Sequence, residues 1–399
     1  MMGHVYPNVL FAAVAIFAVP VFAADVTEAA RTEAVDALPR SSFYEADAAA
    51  VHGQPGTLIR SEAFTGYELP PDVRATRILY RSRSQADHDT AASAVVIVPT
   101  RAPPSGGWPF IIWAQATMGV APTCAPSLSK QLGEYTETLV KEGLARGFAL
   151  VALDYSGLGA ASPREYLWKV ANANDIAFAA PAARAAESQL APAWVAVGHS
   201  EGGLATWGVA EKMVTLHDST YRGAMALAPF VDADTLIGHA AVAPGQTYYP
   251  VYMAFGIKTA YPVFDIHSML LPMGVNAYPR LTMQVCRSLV NALSEPLRPG
   301  TVLDPRWTAA PLAQRLISSN LVGSKRIQGP LFVGSPDSDD IISEQAVAAR
   351  VQGLCSTRAA VTYQVYPGDR RSMLLTAFPD QLDWIVARLH DQPATSSCK

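Results

Sequence analysis

One short run constrains the fold of this chain more than any other: residues 198–203 read Gly-His-Ser-Glu-Gly-Gly. The run follows an apolar, β-branched stretch at residues 194–197 and precedes a helical pattern that begins near Leu204. A strand that turns sharply into a helix holds its central residue in strained backbone and leaves no room for flanking side chains. The pattern therefore predicts that Ser200 is a nucleophile and that the backbone N–H of Glu201 is an oxyanion donor. A glycine-rich turn with an incidental serine is the alternative interpretation.

Strand and helix patterns alternate on both sides of this run. Buried strands are predicted over residues 94–98, 110–113, 148–153, 194–197, 224–227, 331–333 and 361–366. Helices are predicted over residues 128–146, 174–189, 204–216, 344–354 and 381–389. Such alternation indicates an α/β fold, with a mostly parallel central sheet and helices on both faces.

The stretch 229–325 interrupts this alternation, because it is dense in Pro, Tyr and Met and contains no clear strand. We interpret it as an inserted helical lid that divides the core into residues 56–228 and 326–399. An ordinary helical subdomain with its own core is the alternative. Residues 24–55, which are rich in Ala, Ser and acids, are predicted to form a loosely ordered leader.

The N-terminus has the pattern of an export signal, residues 1–23, with cleavage before Ala24. A membrane anchor is the alternative, but the apolar run at residues 9–22 is short for a span and contains Pro20. Export implies a secreted or periplasmic protein, in an oxidising compartment where cysteines form disulfides. The four cysteines, which allow three pairings, are Cys124, Cys286, Cys355 and Cys398.

Charge and motif content narrow the class of partner. The formal net charge is −4, and no Lys/Arg cluster stands out, so nucleic acid is not expected to bind. No Gly-x-Gly-x-x-Gly follows an early strand and no His/Cys/Asp group has metal-ligand spacing, so no cofactor or metal is predicted. The expected partner is a small-molecule or lipid ester. Transient contact with a lipid interface is compatible with it, whereas stable membrane insertion after signal cleavage is not expected.

Five blocks in order resemble the secretory lipases of fungi and their bacterial relatives, within the α/β-hydrolase superfamily. The blocks are Gly-Thr-Leu-Ile at 56–59, Leu-Tyr-Arg-Ser at 79–82, Gly-Val-Ala-Pro-Thr-Cys-Ala-Pro-Ser at 119–127, Asp-Tyr-Ser-Gly-Leu-Gly at 154–159, and the run around Ser200. The resemblance implies an α/β-hydrolase fold, a Ser/Asp/His triad, a lid inserted before the last strands and hydrolysis of fatty acyl esters. It also implies that Cys124 pairs with Cys286 and Cys355 with Cys398.

The same resemblance locates the acid and the base of the triad. The acid is expected after a late strand, where Asp337 is our choice and Asp339 the alternative. The base is expected after Tyr-Pro-Gly at 366–368 and two intervening residues, at the position where this chain has Arg371 instead of histidine. An arginine cannot deprotonate serine, because it stays charged at any accessible pH.

A second departure follows the predicted strand 110–113, where the family has His-Gly-Thr and this chain has Gln-Ala-Thr at 115–117. The backbone N–H of Ala116 can still be an oxyanion donor, since that role requires no particular side chain. Of the eight histidines, His239 and His267 in the predicted lid are the two that could swing over the serine. Two hypotheses follow: a serine carboxylesterase with a base that the sequence does not reveal, or a relative that binds lipid or ester without efficient turnover.

Overall fold

The computed structural model describes residues 21–241, 243, 245–283 and 285–398. Their strands are β1 (Leu58–Phe64), β2 (Val73–Arg83), β3 (Asp89–Pro99), β4 (Trp108–Ala114), β5 (Ala149–Asp154), β6 (Leu190–His199), β7 (Tyr221–Leu227), β8 (Leu331–Pro336) and β9 (Val361–Tyr366). They form one sheet of nine, in the order β1-β2-β3-β5-β4-β6-β7-β8-β9. The pairings from β1 to β3 and between β3 and β5 are antiparallel, and the remaining pairings are parallel.

Helices cover both faces of the sheet, as the alternating sequence pattern predicted. Along β4, Ile111 packs into one apolar cluster with α3 (Glu134–Ala145) and α13 (Phe378–Leu389), and Ile112 packs into another with α4 (Lys169–Ala186) and α5 (Glu201–Leu216). The helices are α1 (Val21–Asp36), α2 (Ala48–Val51), α3 (Glu134–Ala145), α4 (Lys169–Ala186), α5 (Glu201–Leu216), α6 (Ala233–Ala240), α7 (Tyr248–Ala260), α8 (Pro272–Met283), α9 (Arg287–Ser294), α10 (Pro311–Asn320), α11 (Glu344–Cys355), α12 (Ser372–Thr376) and α13 (Phe378–Leu389).

The described residues between β7 and β8 contain helices α6 to α10 and no strand of the sheet. This helical insertion is tied to the core by side-chain contacts. The amide of Asn320, at the end of α10, accepts from the backbone N–H of Lys169 at 3.0 Å. The indole of Trp168 donates to the carbonyl of Gly256 in α7 at 3.0 Å. The insertion therefore follows β7 in the chain and packs against the start of α4.

The N-terminal segment differs from the loosely ordered leader that its composition predicted. Helix α1 occupies much of it, and Glu33 accepts from the backbone N–H groups of Cys286 at 3.2 Å and Leu289 at 2.8 Å. Glu33 thus satisfies free donors at the start of α9, a long-range contact that the local sequence pattern does not reveal. Residues 1–20 of the predicted signal lie outside the described residues, and Val21 begins α1.

Two disulfides join distant parts of the chain. Cys124 pairs with Cys286 and so connects the loop after β4 to the start of α9. Cys355 pairs with Cys398 and connects the end of α11 to the C-terminal tail. These are the pairings that the family resemblance implied. Within the described part of the chain, no helix has the length and apolar character needed to cross a bilayer.

Candidate active site

Ser200 lies at the sharp turn between β6 and α5, with φ +61° and ψ −112°. This left-handed backbone is rare for a residue with a Cβ, and such strain is typical of functional sites. The turn is held by backbone hydrogen bonds, since the Ser200 N–H donates to the Leu227 carbonyl at 2.9 Å. The Ser200 carbonyl accepts from the backbone N–H of Leu204 at 3.1 Å. The predicted strand, turn and helix are therefore all present around Ser200.

The glycines around Ser200 lie where a side chain would meet backbone. A Cβ on Gly202 would lie 1.9 Å from the carbonyl oxygen of Ala114, at the end of β4. A Cβ on Gly198 would lie 2.2 Å from the carbonyl oxygen of Gly202. Because these neighbours are backbone atoms of the central sheet and the helix start, they cannot move aside cheaply. Close packing between β4, β6 and α5 therefore requires glycine at both positions.

We expect Gly202→Ala to lower the free energy of unfolding by about 4 kcal/mol or to prevent folding, because the new methyl overlaps the Ala114 carbonyl. Urea denaturation followed by circular dichroism measures the loss. Gly238→Ala is the matched control, since a Cβ there meets no atom within 4 Å in helix α6. Its stability should change by less than about 1 kcal/mol. Equal stability of the Gly202 variant and the control would contradict this account of the turn.

Arg370 is the residue whose side chain reaches the Ser200 hydroxyl. Its Nη1 donates to Ser200 Oγ at 3.3 Å, and its Nη2 donates to the Ala228 carbonyl at 2.8 Å. Nη2 also lies 3.1 Å from Oδ2 of Asp339. The guanidinium carbon stands 5.0 Å from the centre of the Phe230 ring. Arg370 is therefore fixed by four neighbours, and its side chain is only 10% exposed.

The family spacing assigned this position to Arg371, and the structure corrects that alignment by one residue. Asp369 Oδ1 accepts from the backbone N–H groups of Arg371 at 2.9 Å and Ser372 at 2.7 Å, and so caps the start of α12. Gly368 precedes this cap with φ +106°. The resulting turn sends Arg370 into the site and leaves Arg371 exposed at the cavity mouth. Residue counting cannot detect this change of direction.

The two candidate acids lie in different surroundings. Asp339 is the carboxylate beside Arg370, and its side chain is 1% exposed. Its Oδ1 also accepts from the backbone N–H groups of Ile341 at 2.8 Å and Ile342 at 3.1 Å. Asp337, our choice from sequence, is exposed instead. It continues the ladder beyond β8, where its carboxylate accepts from the Gly368 N–H at 3.0 Å.

Hydrogen bonds to Asp337 lower the pKa of its carboxyl, first from the Ser338 hydroxyl and then from the Gly368 N–H. These contacts hold Asp337 at the surface turn, on a different set of partners from Arg370. The geometry therefore brings together Ser200, Arg370 and Asp339, in the order in which a serine, a base and an acid are joined in a triad. A guanidinium occupies the central position.

No histidine side chain that the structure describes occupies the position of the base beside Ser200. His199 is buried, and Nε2 donates to the Arg370 carbonyl at 2.9 Å. Burial and the nearby Arg370 lower the pKa of His199 to about 3, so its ring is neutral at pH 7. His267 binds Asp265 at the surface, with 68% of its side chain exposed. The His239 side chain lies outside the described atoms.

The predicted oxyanion donors lie beside the serine. Glu201 is the first residue of α5, so its backbone N–H belongs to the free donors of a helix start. Ala116 lines the same cavity as Ser200. The carbonyl of Gln115, next to Ala116, accepts from the Tyr155 hydroxyl at 3.0 Å, which fixes the loop after β4. The sequence did not anticipate this tyrosine anchor.

The side chain of Glu201 is completely buried and binds several polar groups. It accepts from Arg164, from the amide of Asn172 at 3.1 Å and from the Thr117 hydroxyl at 3.2 Å. Because Thr117 follows Ala116, this network links the start of α5 to the loop that carries the second predicted donor. The buried glutamate is therefore a positioning residue for both halves of the candidate oxyanion hole.

A cavity of about 600 Å³ opens above Ser200. Tyr248 and Tyr249 of helix α7 form part of its wall, and their rings stack with centroids 4.3 Å apart. Arg287 of α9 and Arg371 stand at the same cavity. Its size and mixed lining are those of a small-molecule site.

Comparison with known proteins identifies the fold. The structure is similar to the closed state of Candida antarctica lipase A, with a TM-score of 0.77, 20% identity, and coverage of 91% of this chain and 89% of that one. It is also similar to the rice cell wall degrading esterase LipA from Xanthomonas oryzae, with a TM-score of 0.67, 16% identity, and coverage of 86% and 100%. No family model matches the sequence.

One curated relative aligns with part of the chain. A probable inactive lipase of Mycobacterium tuberculosis is 32% identical over 127 residues, which are 29% of this chain and 28% of that protein. The match therefore spans less than a third of the relative's length. The nine-stranded sheet and the structural neighbours confirm the predicted fold. This chain has the α/β-hydrolase fold, in the form found in lipases and esterases.

Proposed function

We propose that this protein is a secreted member of the lipase type that binds fatty acyl ligands over Ser200 and hydrolyses esters slowly at most. The observation that carries the proposal is the guanidinium of Arg370, which lies 3.3 Å from the Ser200 hydroxyl where a base is needed. Arginine stays protonated, so it can donate to the hydroxyl but cannot accept its proton. A serine without a base is a weak nucleophile.

The ion pair with Asp339 adds to this argument. Because the carboxylate binds the guanidinium and two backbone N–H groups, it is committed to holding Arg370 in place. Loss of one triad member costs several orders of magnitude in rate, although oxyanion donors and substrate binding retain some catalysis. Residual esterase activity is therefore part of the proposal. The partial match to a probable inactive lipase also supports impaired ester hydrolysis.

The acyl specificity is inferred from the cavity wall. Tyr248, Tyr249 and Ile341 offer apolar surface beside Ser200. In this proposal, helices α6 to α10 are the lid over the acyl-binding cavity. Transient contact of this lid with a lipid interface belongs to the same proposal. Two disulfides support secretion or a periplasmic location, because such bonds persist in oxidising compartments.

Fluorophosphonate labelling tests the proposal directly, since it reports the nucleophilicity of Ser200. We expect labelling at least about 100-fold slower than that of an active serine esterase, and little release of p-nitrophenol from short or long acyl esters. Ser200→Ala is the control for background hydrolysis. Rapid labelling together with turnover that disappears in Ser200→Ala would overturn the impaired assignment.

A working carboxylesterase is the second candidate, favoured by the strained backbone of Ser200 and by the glycines that maintain it. Such a protein would need a proton acceptor that reaches Ser200 when substrate binds. The labelling experiment separates the two candidates, because a working enzyme forms an acyl intermediate at a rate that matches its turnover.

A further inference from the structure

Two arginines stand at the mouth of the cavity above Ser200. Arg287 and Arg371 line this cavity and also a neighbouring one of about 760 Å³ under helix α1. Ala116 and His199 are the other residues common to both cavities. The two arginines therefore lie where the two cavities adjoin.

Neither guanidinium has a carboxylate partner within 4.0 Å in the described part of the chain, in contrast to Arg370 with Asp339. The described contact of the Arg287 side chain is weak, because Nη1 lies 4.0 Å from the sulfur of Met118. Burial and the charge of Arg371 both lower the pKa of Arg287. Two neighbouring cations, one of them half-buried, are costly without a counter-charge.

The acidic residues that line the two cavities form no direct ion pair with either arginine in the described part of the chain. Asp369 is occupied by the backbone N–H of Arg371 and by Ser372, and Asp340 accepts from the Gln246 amide at 2.8 Å. Glu295 at the rim is exposed to solvent. In the other cavity, Asp36 binds Ser129 and Gln131. These carboxylates keep their charges, but within the described residues none lies within 4.0 Å of the guanidinium nitrogens of Arg287 or Arg371.

The position of Arg287 is fixed by the chain on both sides. It follows Cys286, which is bonded to Cys124, and its backbone N–H donates to the Met118 carbonyl at 3.0 Å. Arg371 is held by the Asp369 cap described above. These contacts fix the two backbones, and each guanidinium carries forked donors that bind the two oxygens of a carboxylate bidentately.

We propose that Arg287 and Arg371 form a binding site for the carboxylate of a free fatty acid. This inference rests on the proposed acyl-binding function and names its ligand class: an ionised monocarboxylate with an aliphatic chain, rather than a neutral ester. The chain would lie along apolar walls on either side, such as Tyr249 above Ser200 and Leu374 under α1. An ester has no charge for the two arginines to bind.

Titration calorimetry with sodium decanoate, below its micelle concentration, and with methyl decanoate tests the inference. We expect decanoate to bind the unmodified protein at least about tenfold more tightly than the methyl ester. The variant Arg287→Gln/Arg371→Gln should lose at least about tenfold in decanoate affinity and little in ester affinity. Arg326→Gln, an exposed arginine outside both cavities, is the matched control.

The outcomes separate this inference from the function on which it rests. Equal binding of acid and ester, or full decanoate affinity in the double variant, would overturn the carboxylate site while acyl binding stands. Absence of binding by both ligands to the unmodified protein would overturn the proposed function itself. Thermal unfolding of each variant verifies that the comparison is made on folded protein.

Discussion

We expect the Arg370→His variant to hydrolyse p-nitrophenyl butyrate about 100-fold faster than the unmodified protein, measured as kcat/KM. An imidazole placed where the guanidinium stands would face Ser200 Oγ on one side and Asp339 on the other. The carboxylate would then orient the ring, and the free ring nitrogen would accept the serine proton. The rate should fall at acidic pH, since a protonated imidazole cannot act as the base.

Two variants make this prediction specific. Arg371→His, the substitution that family spacing alone would select, should give no gain, because residue 371 faces the cavity mouth rather than the serine. Adding Ser200→Ala to Arg370→His should abolish the gain. A rate increase in Arg371→His but not in Arg370→His would show that the turn after β9 directs residue 371, rather than residue 370, toward Ser200.

We expect Arg370→Met to lower the free energy of unfolding by about 3 kcal/mol, because it leaves the buried carboxylate of Asp339 without its cation. The methionine keeps much of the apolar volume beside Phe230, so lost packing contributes little. Urea denaturation at pH 7 measures the change.

The double variant Arg370→Met/Asp339→Asn distinguishes charge from packing. It should recover much of the lost stability, since a neutral amide no longer requires a cation, although the amide accepts fewer backbone hydrogen bonds. Arg306→Met is the surface control, because 86% of the Arg306 side chain is exposed and its pair with Asp304 is screened by solvent, so the variant should keep its stability. If the Arg370→Met variant were as stable as this control, the stabilising role of the buried Arg370–Asp339 ion pair would be contradicted.

The core strands were predictable because burial leaves a strong signature in their side chains. Every residue of β5 is buried, and its sequence is accordingly an unbroken apolar run up to Asp154. Strand β1 was missed for the converse reason, because most of it is exposed at the sheet edge. Strand β2 is largely buried but contains four arginines, and the buried guanidinium of Arg77 packs on Phe43 at 4.2 Å. Charged residues within a buried strand weaken its apolar signature in the sequence.

The candidate site was predictable only as far as local geometry determines it. Ser200 follows from a strand, a tight turn and a helix that are contiguous in sequence. The identity of its neighbours depends on two turns, after β8 and after β9, where capping hydrogen bonds decide which side chain points inward. Those bonds favour Asp339 over Asp337 and Arg370 over Arg371 as neighbours of the serine. Sequence spacing alone does not indicate which of two nearby side chains such a turn directs toward Ser200.

The disulfide between Cys124 and Cys286 has a consequence that reaches past stability. Because Arg287 is the next residue, the covalent bond anchors one of the two cations at the cavity mouth to the loop after β4. Reduction of this bond would remove the covalent anchor beside Arg287, so the affinity of the proposed site for a carboxylate should be lower in the reduced protein than in the oxidised one.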